Sequence, residues 1–230
     1  MDAEEPPAPT SGPGHEALLR LLDAYAAGNA RTRALVEREI WGDFGLTGAP
    51  LVLDMSGFSR TVRRRGIVAY LAMVRRMQRL TAPIVARSSG RIVKFEADNL
   101  YALFGDVPEA LEAASAILEA LASEVVADPE DRIRVSMGIA YGSLVLIDGR
   151  DYFGDCVNTA AKLGEDLAGP GVVLVSEEAV ARLPMATRLT LSPCRFELGG
   201  LVFEAAAWSP GAAGSLRSGA PDGDAEGGMA

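Results

Sequence analysis

The order of apolar segments after residue 50 constrains the fold more than any other feature of this 230-residue chain. Leu51-Val52-Leu53 is a short buried strand, and residues 61–87 repeat apolar positions at helical spacing. Arg91–Phe95 and Leu100–Phe104 are two strands joined by the tight Glu96-Ala97-Asp98-Asn99 segment, which predicts a β-hairpin. Residues 108–125 form a second helix, opened by Pro108 and lined on one face by Ala110, Leu111, Ala114, Ile117, Leu118 and Leu121. Strands follow at 133–140 and 143–147, then a helix at about 154–168, a buried strand at 172–175, a short helix, and two strands around Phe196 and Phe203. A βαββαβ order with additions predicts an α+β fold with a ferredoxin-like sandwich core.

The rest of the chain divides around that core. Residues 1–14 are acidic and Pro-rich, and 209–230 are rich in Gly, Ala and Ser, so both are expected to be disordered tails. Residues 15–46 are an N-terminal helical extension, with apolar residues at helical spacing over 15–41 and a weak point at Gly28. Residues 47–208 are the expected main folded domain. There is no basic, apolar leader, no run of the roughly 18 apolar residues that crosses a bilayer, and no internal repeat. A cytoplasmic protein that neither inserts in nor coats a membrane is expected.

Rare residue types narrow the chemistry. His15 is the sole histidine, which argues against a multi-histidine zinc site or a Ser-His-Asp triad. Cys156 and Cys194 are too few for a disulfide framework or a four-cysteine metal site. A resident metal would therefore be held by carboxylates, which select hard cations such as Mg or Mn. The formal net charge is −9, with no evident basic stripe, so a polymeric nucleic acid is not an expected partner. More than half of that charge falls in the two tails, so the folded part is only mildly acidic.

Two carboxylates stand where the topology could join them. Asp54 ends the first strand, and the loop Ser56-Gly57-Phe58 offers backbone N–H groups to phosphate at the start of a helix. Asp98 sits at the hairpin tip, and in a βαββ unit that hairpin lies beside the first strand. Either residue alone is an ordinary capping or turn aspartate. As a pair beside a phosphate-binding loop they could hold two divalent ions against a triphosphate.

Here the residues carry a resemblance. Leu53-Asp54-Met55-Ser56-Gly57-Phe58-Ser59 and Gly90–Asp98 resemble the first and second metal motifs of the class III adenylate/guanylate cyclase catalytic domain. Met137–Ser143 resembles the family's central strand pair, and Asp151–Leu163 its signature helix. The likeness runs from about residue 50 to 207. It implies that Asp54 and Asp98 bind two Mg or Mn ions, that Lys94 and Asp151 select adenine, and that Asn158 positions the ribose. It implies ATP as substrate, cyclic AMP and pyrophosphate as products, and a homodimer in which one subunit supplies the aspartates and its partner the other groups. Guanylate cyclases usually carry Glu and Cys where this chain has Lys94 and Asp151.

Three positions depart from that pattern. Lys162 stands four residues after Asn158, where the family has a transition-state arginine, and it lacks the planar fork of a guanidinium. Gly199 stands where a lysine often contacts the triphosphate, and Ala97 replaces the usual glycine before the second aspartate. These changes keep a second reading open: a weakly active or inactive homologue that binds nucleotide, or a protein, as a regulatory module. A diguanylate cyclase is disfavoured, because the hairpin reads Phe95-Glu96-Ala97-Asp98-Asn99. An undefined regulatory partner is also expected.

Overall fold

The computed structural model describes residues 14–210, and residues 58–60 by backbone only. The expected tails lie outside the described residues apart from Gly14, Ser209 and Pro210.

The spine of the fold is β1 (Gly45–Met55). It is apolar on both faces, with Ala49, Leu51, Val52 and Leu53 fully buried, so it must be covered on both sides. Its first residues pair with β5 (Gly142–Ile147). Its later residues pair antiparallel with β3 (Asn99–Phe104) on one side and β4 (Val135–Ile139) on the other. With β2 (Arg91–Glu96) on the outside of β3, the order β2-β3-β1-β4 is the antiparallel arrangement expected of a ferredoxin-like unit. The sheet continues through β7 (Val173–Ser176), parallel to β4, to β9 (Leu201–Trp208) and β8 (Ser192–Leu198). Including the short β6 (Asp151–Phe153) beside β5, it has nine strands.

Two helices, α4 (Ile67–Arg87) and α5 (Val107–Ser123), cover one face. Tyr70, Met73, Val74 and Met77 of α4 recur at helical spacing and pack with Ile117 and Leu121 of α5 over Leu51, Leu53 and Met137. The other face carries α6 (Asp155–Ala161), which continues into a wider π-helical turn at Lys162–Leu167. That layer reaches the sheet through two glycines. A Cβ on Gly138 of β4 would fall 2.1 Å from the Ala160 carbonyl oxygen, and one on Gly164 would fall 2.7 Å from the Val52 carbonyl oxygen. Only glycine permits an approach this close.

The N-terminal extension is a pair of helices, α1 (His15–Ala27) and α2 (Ala30–Phe44), divided at the expected weak point, Gly28. Leu18 and Phe44 tie it to Ile147 on β5. Among the described residues no helix is long and apolar enough to cross a membrane.

Several boundaries differ from expectation for local reasons. The helix expected at 61–87 is two helices, α3 (Phe58–Arg65) and α4, because Gly66 adopts a left-handed φ of +84°. The first strand begins at residue 45, since Thr47 and Gly48 look like loop residues yet pair with Ser143 and Gly142. The helix expected at 154–168 is α6 followed by its π turn, and β6 was not expected as a strand at all.

Candidate active site

Asp54 is the penultimate residue of β1 and lies opposite Ser136. The chain then turns at Ser56-Gly57, where Gly57 has a φ of +98°, and enters α3. The Ser56 N–H donates to the Arg134 carbonyl oxygen at 2.9 Å, which pins the turn against the start of β4. Phe58 lies outside the residues whose side chains are described.

Asp98 sits in the β2–β3 turn, whose flanking pair is Glu96 and Asn99. Because Leu53 pairs with Leu100, that turn lies beside the end of β1. Asp54 and Asp98 line one cleft of about 860 Å³, together with Ser56 and Gly57. The Tyr70 hydroxyl, from the buried face of α4, donates to Asp98 Oδ2. Burial and the adjacent carboxylate push the Tyr70 phenol up, so it stays a donor at neutral pH.

Asp54 has an unusual electrostatic setting. Burial, then the neighbouring Asp98, Glu165 and Asp166 carboxylates, push its pKa up to about 7, against a smaller opposing pull from the Met55 N–H. A cation would relieve the repulsion on a half-buried carboxylate crowded by others, and hard oxygen donors suit Mg or Mn. The residues present therefore fit the expected metals. Among the described residues no three or more His, Cys, Asp or Glu side chains are placed to hold a metal on their own. A two-carboxylate arrangement suits magnesium, which usually shares its shell with water and substrate phosphates.

The second group of expected residues lies apart from that cleft. Lys94 Nζ stands 3.2 Å from Asp151 Oδ1 and 2.8 Å from Glu96 Oε2. It also sits 5.1 Å from the centre of the Tyr101 ring. The Glu96 carboxylate, with Asp151 behind it, holds the lysine more firmly protonated than usual despite partial desolvation. β6 makes this possible by carrying Asp151 alongside β5, opposite Ile147. Asn158 is exposed on α6, and Lys162 is half-buried where that helix widens. None of Lys94, Asp151, Asn158 and Lys162 lines the cleft of Asp54 and Asp98.

A chain of contacts links the two groups. Glu165 Oε1 accepts hydrogen bonds from Asn99 Nδ2 and Tyr101 Oη, both at 2.8 Å. Thus Glu165 raises Asp54 electrostatically while being held by the tyrosine that underlies Lys94. Sequence reasoning missed Tyr70 and Glu165. A phenol in the apolar stripe of α4 was a usable signal for the first; nothing local marked the second. Gly199 and Gly200 take φ values of +58° and +78° in the two-residue β8–β9 turn, where glycine fits best.

Relatives agree with this architecture. A solved adenylate/guanylate cyclase/hydrolase from Silicibacter pomeroyi superposes with a TM-score of 0.60 at 30% identity, over 73% of this chain and 99% of that one. A Rhizobium meliloti (strain 1021) protein assigned to the adenylate cyclases is 34% identical over 130 residues, which is 56% of this chain and 22% of the relative. An adenylate cyclase of Streptomyces coelicolor is 33% identical over 122 residues, 53% of this chain and 30% of that protein. The chain thus matches less than a third of the length of these two relatives. No protein-family profile matches the chain. The chain belongs to the class III adenylate/guanylate cyclase catalytic-domain family.

Proposed function

We propose that residues 47–208 convert ATP to 3′,5′-cyclic AMP and pyrophosphate, in a site completed across a homodimer, with residues 15–46 as a helical extension. The observation that carries the reading is the Lys94–Asp151 pair, 3.2 Å apart but outside the cleft that holds Asp54 and Asp98. Such a division is what a two-subunit site needs: each subunit offers a metal half to one site and a base-recognition half to the other.

Asp54 and Asp98 would hold two Mg or Mn ions. Bound there, these cations supply positive charge that acidifies the ribose 3′-hydroxyl and neutralises the triphosphate. The chain's own residues do the rest. Tyr70 fixes the Asp98 carboxylate through its hydrogen bond. The Gly57 and Phe58 N–H groups receive phosphate oxygens, while the Ser56 N–H holds the turn against Arg134. Lys94 Nζ donates to an adenine ring nitrogen, while the Asp151 carboxylate accepts from the exocyclic amine. Asn158 orients the ribose, and Lys162 steadies charge as the 3′-oxygen, its proton passing to water, bonds to the α-phosphorus and the bond to the pyrophosphate oxygen breaks.

The presence of lysine at 162 favours a slow enzyme, or a nucleotide-binding regulatory module as the second reading. Purified protein incubated with ATP and Mn, with products resolved by mass, separates them. Cyclic AMP that disappears in Asp54→Ala and Asp98→Ala supports the enzyme. Absence of any cyclic nucleotide at micromolar protein, from ATP or another triphosphate, overturns it.

A further inference from the structure

Tyr101 has no part in the mechanism above, yet it lies among the residues that hold Lys94. The β2–β3 register sets it directly opposite Lys94, and the β1–β3 register sets it opposite Val52. Directly opposed residues of a ladder share one face of the sheet, so the phenol ring lies between the lysine and the central strand. Lys94 Nζ stands 5.1 Å from the ring centre, within the range of a cation–π contact.

The ring is itself held in two ways. Its hydroxyl donates to Glu165 Oε1 at 2.8 Å, and burial pushes the phenol up, so it stays a donor at neutral pH. The buried Tyr152 ring meets it edge-on, with centroids 6.4 Å apart and planes at 74°. The lysine, by contrast, is pulled towards two carboxylates. Asp151 Oδ1, which accepts from the Tyr152 N–H at 2.9 Å, lies 3.2 Å from Nζ. The exposed Glu96 carboxylate lies closer, at 2.8 Å. A flexible four-carbon stem does not by itself decide between them.

The geometry points to Tyr101 as a positioning residue for base recognition: its ring, held by Glu165 and Tyr152, keeps the Lys94 ammonium beside Asp151 and stops it swinging out to Glu96. This rests on the cyclase reading and deepens it. Adenine needs the Lys94 donor and the Asp151 acceptor side by side, so a displaced lysine weakens ATP more than GTP. Loss of the ring therefore acts on the choice between nucleotides, whereas a loss of packing alone weakens both alike. Removing the competing carboxylate compensates, because Glu96 then no longer draws the lysine away.

The experiment measures KM for Mn-ATP, and inhibition by Mn-GTP as a competitor, in wild type, Tyr101→Leu, Tyr101→Phe and the double variant Tyr101→Leu/Glu96→Gln. Melting temperatures confirm that the variants fold. Tyr101→Leu is expected to raise KM for ATP about fivefold while GTP inhibition changes less than about twofold, with the phenylalanine variant between it and wild type. The double variant is expected to recover about half of that loss or more. If wild type makes cyclic AMP while Tyr101→Leu keeps the ATP-to-GTP ratio within about twofold, or Glu96→Gln recovers nothing, the assignment of Tyr101 falls and the cyclase reading stands. If wild type makes no cyclic nucleotide, the cyclase reading falls, and calorimetry with Mn-ATP and Mn-GTP decides for Tyr101. An affinity ratio shifted about fivefold in Tyr101→Leu supports it, and an unchanged ratio, or no binding by wild type, overturns it.

Discussion

Lys94 and Asp151 meet at 3.2 Å although they come from different strands, β2 and the short β6. The lysine also meets Glu96 at 2.8 Å, so its charge is shared between two carboxylates. An adenine presents both an acceptor and a donor to that pair, whereas guanine reverses the pattern with its carbonyl. The double variant Lys94→Glu/Asp151→Cys is expected to lower kcat/KM for ATP by at least about tenfold and to raise it for GTP. Product analysis with each nucleotide checks this.

The raised Asp54 pKa gives the metal-free protein a pH dependence. The folded value, about 7, lies above the ordinary 3.8, so the native state binds the proton more tightly than the unfolded chain. The stabilisation is complete below about pH 4 and is lost as pH rises through about 7. In chelator, wild type should therefore lose stability between pH 5.5 and 8 relative to Asp54→Asn. The differential is about 1–2 kcal/mol, discounted from ~1.4 kcal/mol per pKa unit for the solvent in the cleft. Thermal unfolding of both proteins measures it. Added Mn should reverse the trend in wild type, since a cation and a proton compete for the same carboxylate.

Ala97 takes a left-handed φ of +51° beside Asp98, where a Cβ is unfavourable. Ala97→Gly is expected to stabilise the protein by up to about 1 kcal/mol, as the relief outweighs the added freedom of the unfolded chain. Urea denaturation with an unchanged slope would show that the gain lies in the turn.

The contact between Gly138 and the α6 layer leaves no room for a methyl group, since a Cβ would fall 2.1 Å from backbone. Gly138→Ala should destabilise by about 3 kcal/mol or more, and should lower kcat by displacing Asn158 and Lys162 together. A melting curve and a turnover assay on the same preparation test both parts.

Much of this was legible in the residues because the signals are local. The hairpin around Asp98 and the strand that carries Asp54 near its end follow from apolar runs separated by turn residues, and their order sets them side by side. What was not legible depends on distant partners. β6 is three residues long and exists through its pairing with β5. The π turn after Lys162 shows no periodicity change strong enough to announce it. Tyr70 and Glu165 lie 28 and 66 residues from their partners Asp98 and Asn99, so only the folded sheet brings them in.

The proposed catalytic site is divided between two subunits, with Asp54 on one side and Asn158 on the other. The most direct measurement mixes two inactive variants, Asp54→Ala and Asn158→Ala, under conditions that exchange subunits. A heterodimer then has one intact site and one doubly damaged site. Random exchange predicts recovery of about one quarter of wild-type cyclic AMP formation. A mixture no more active than the sum of its parts would contradict the account.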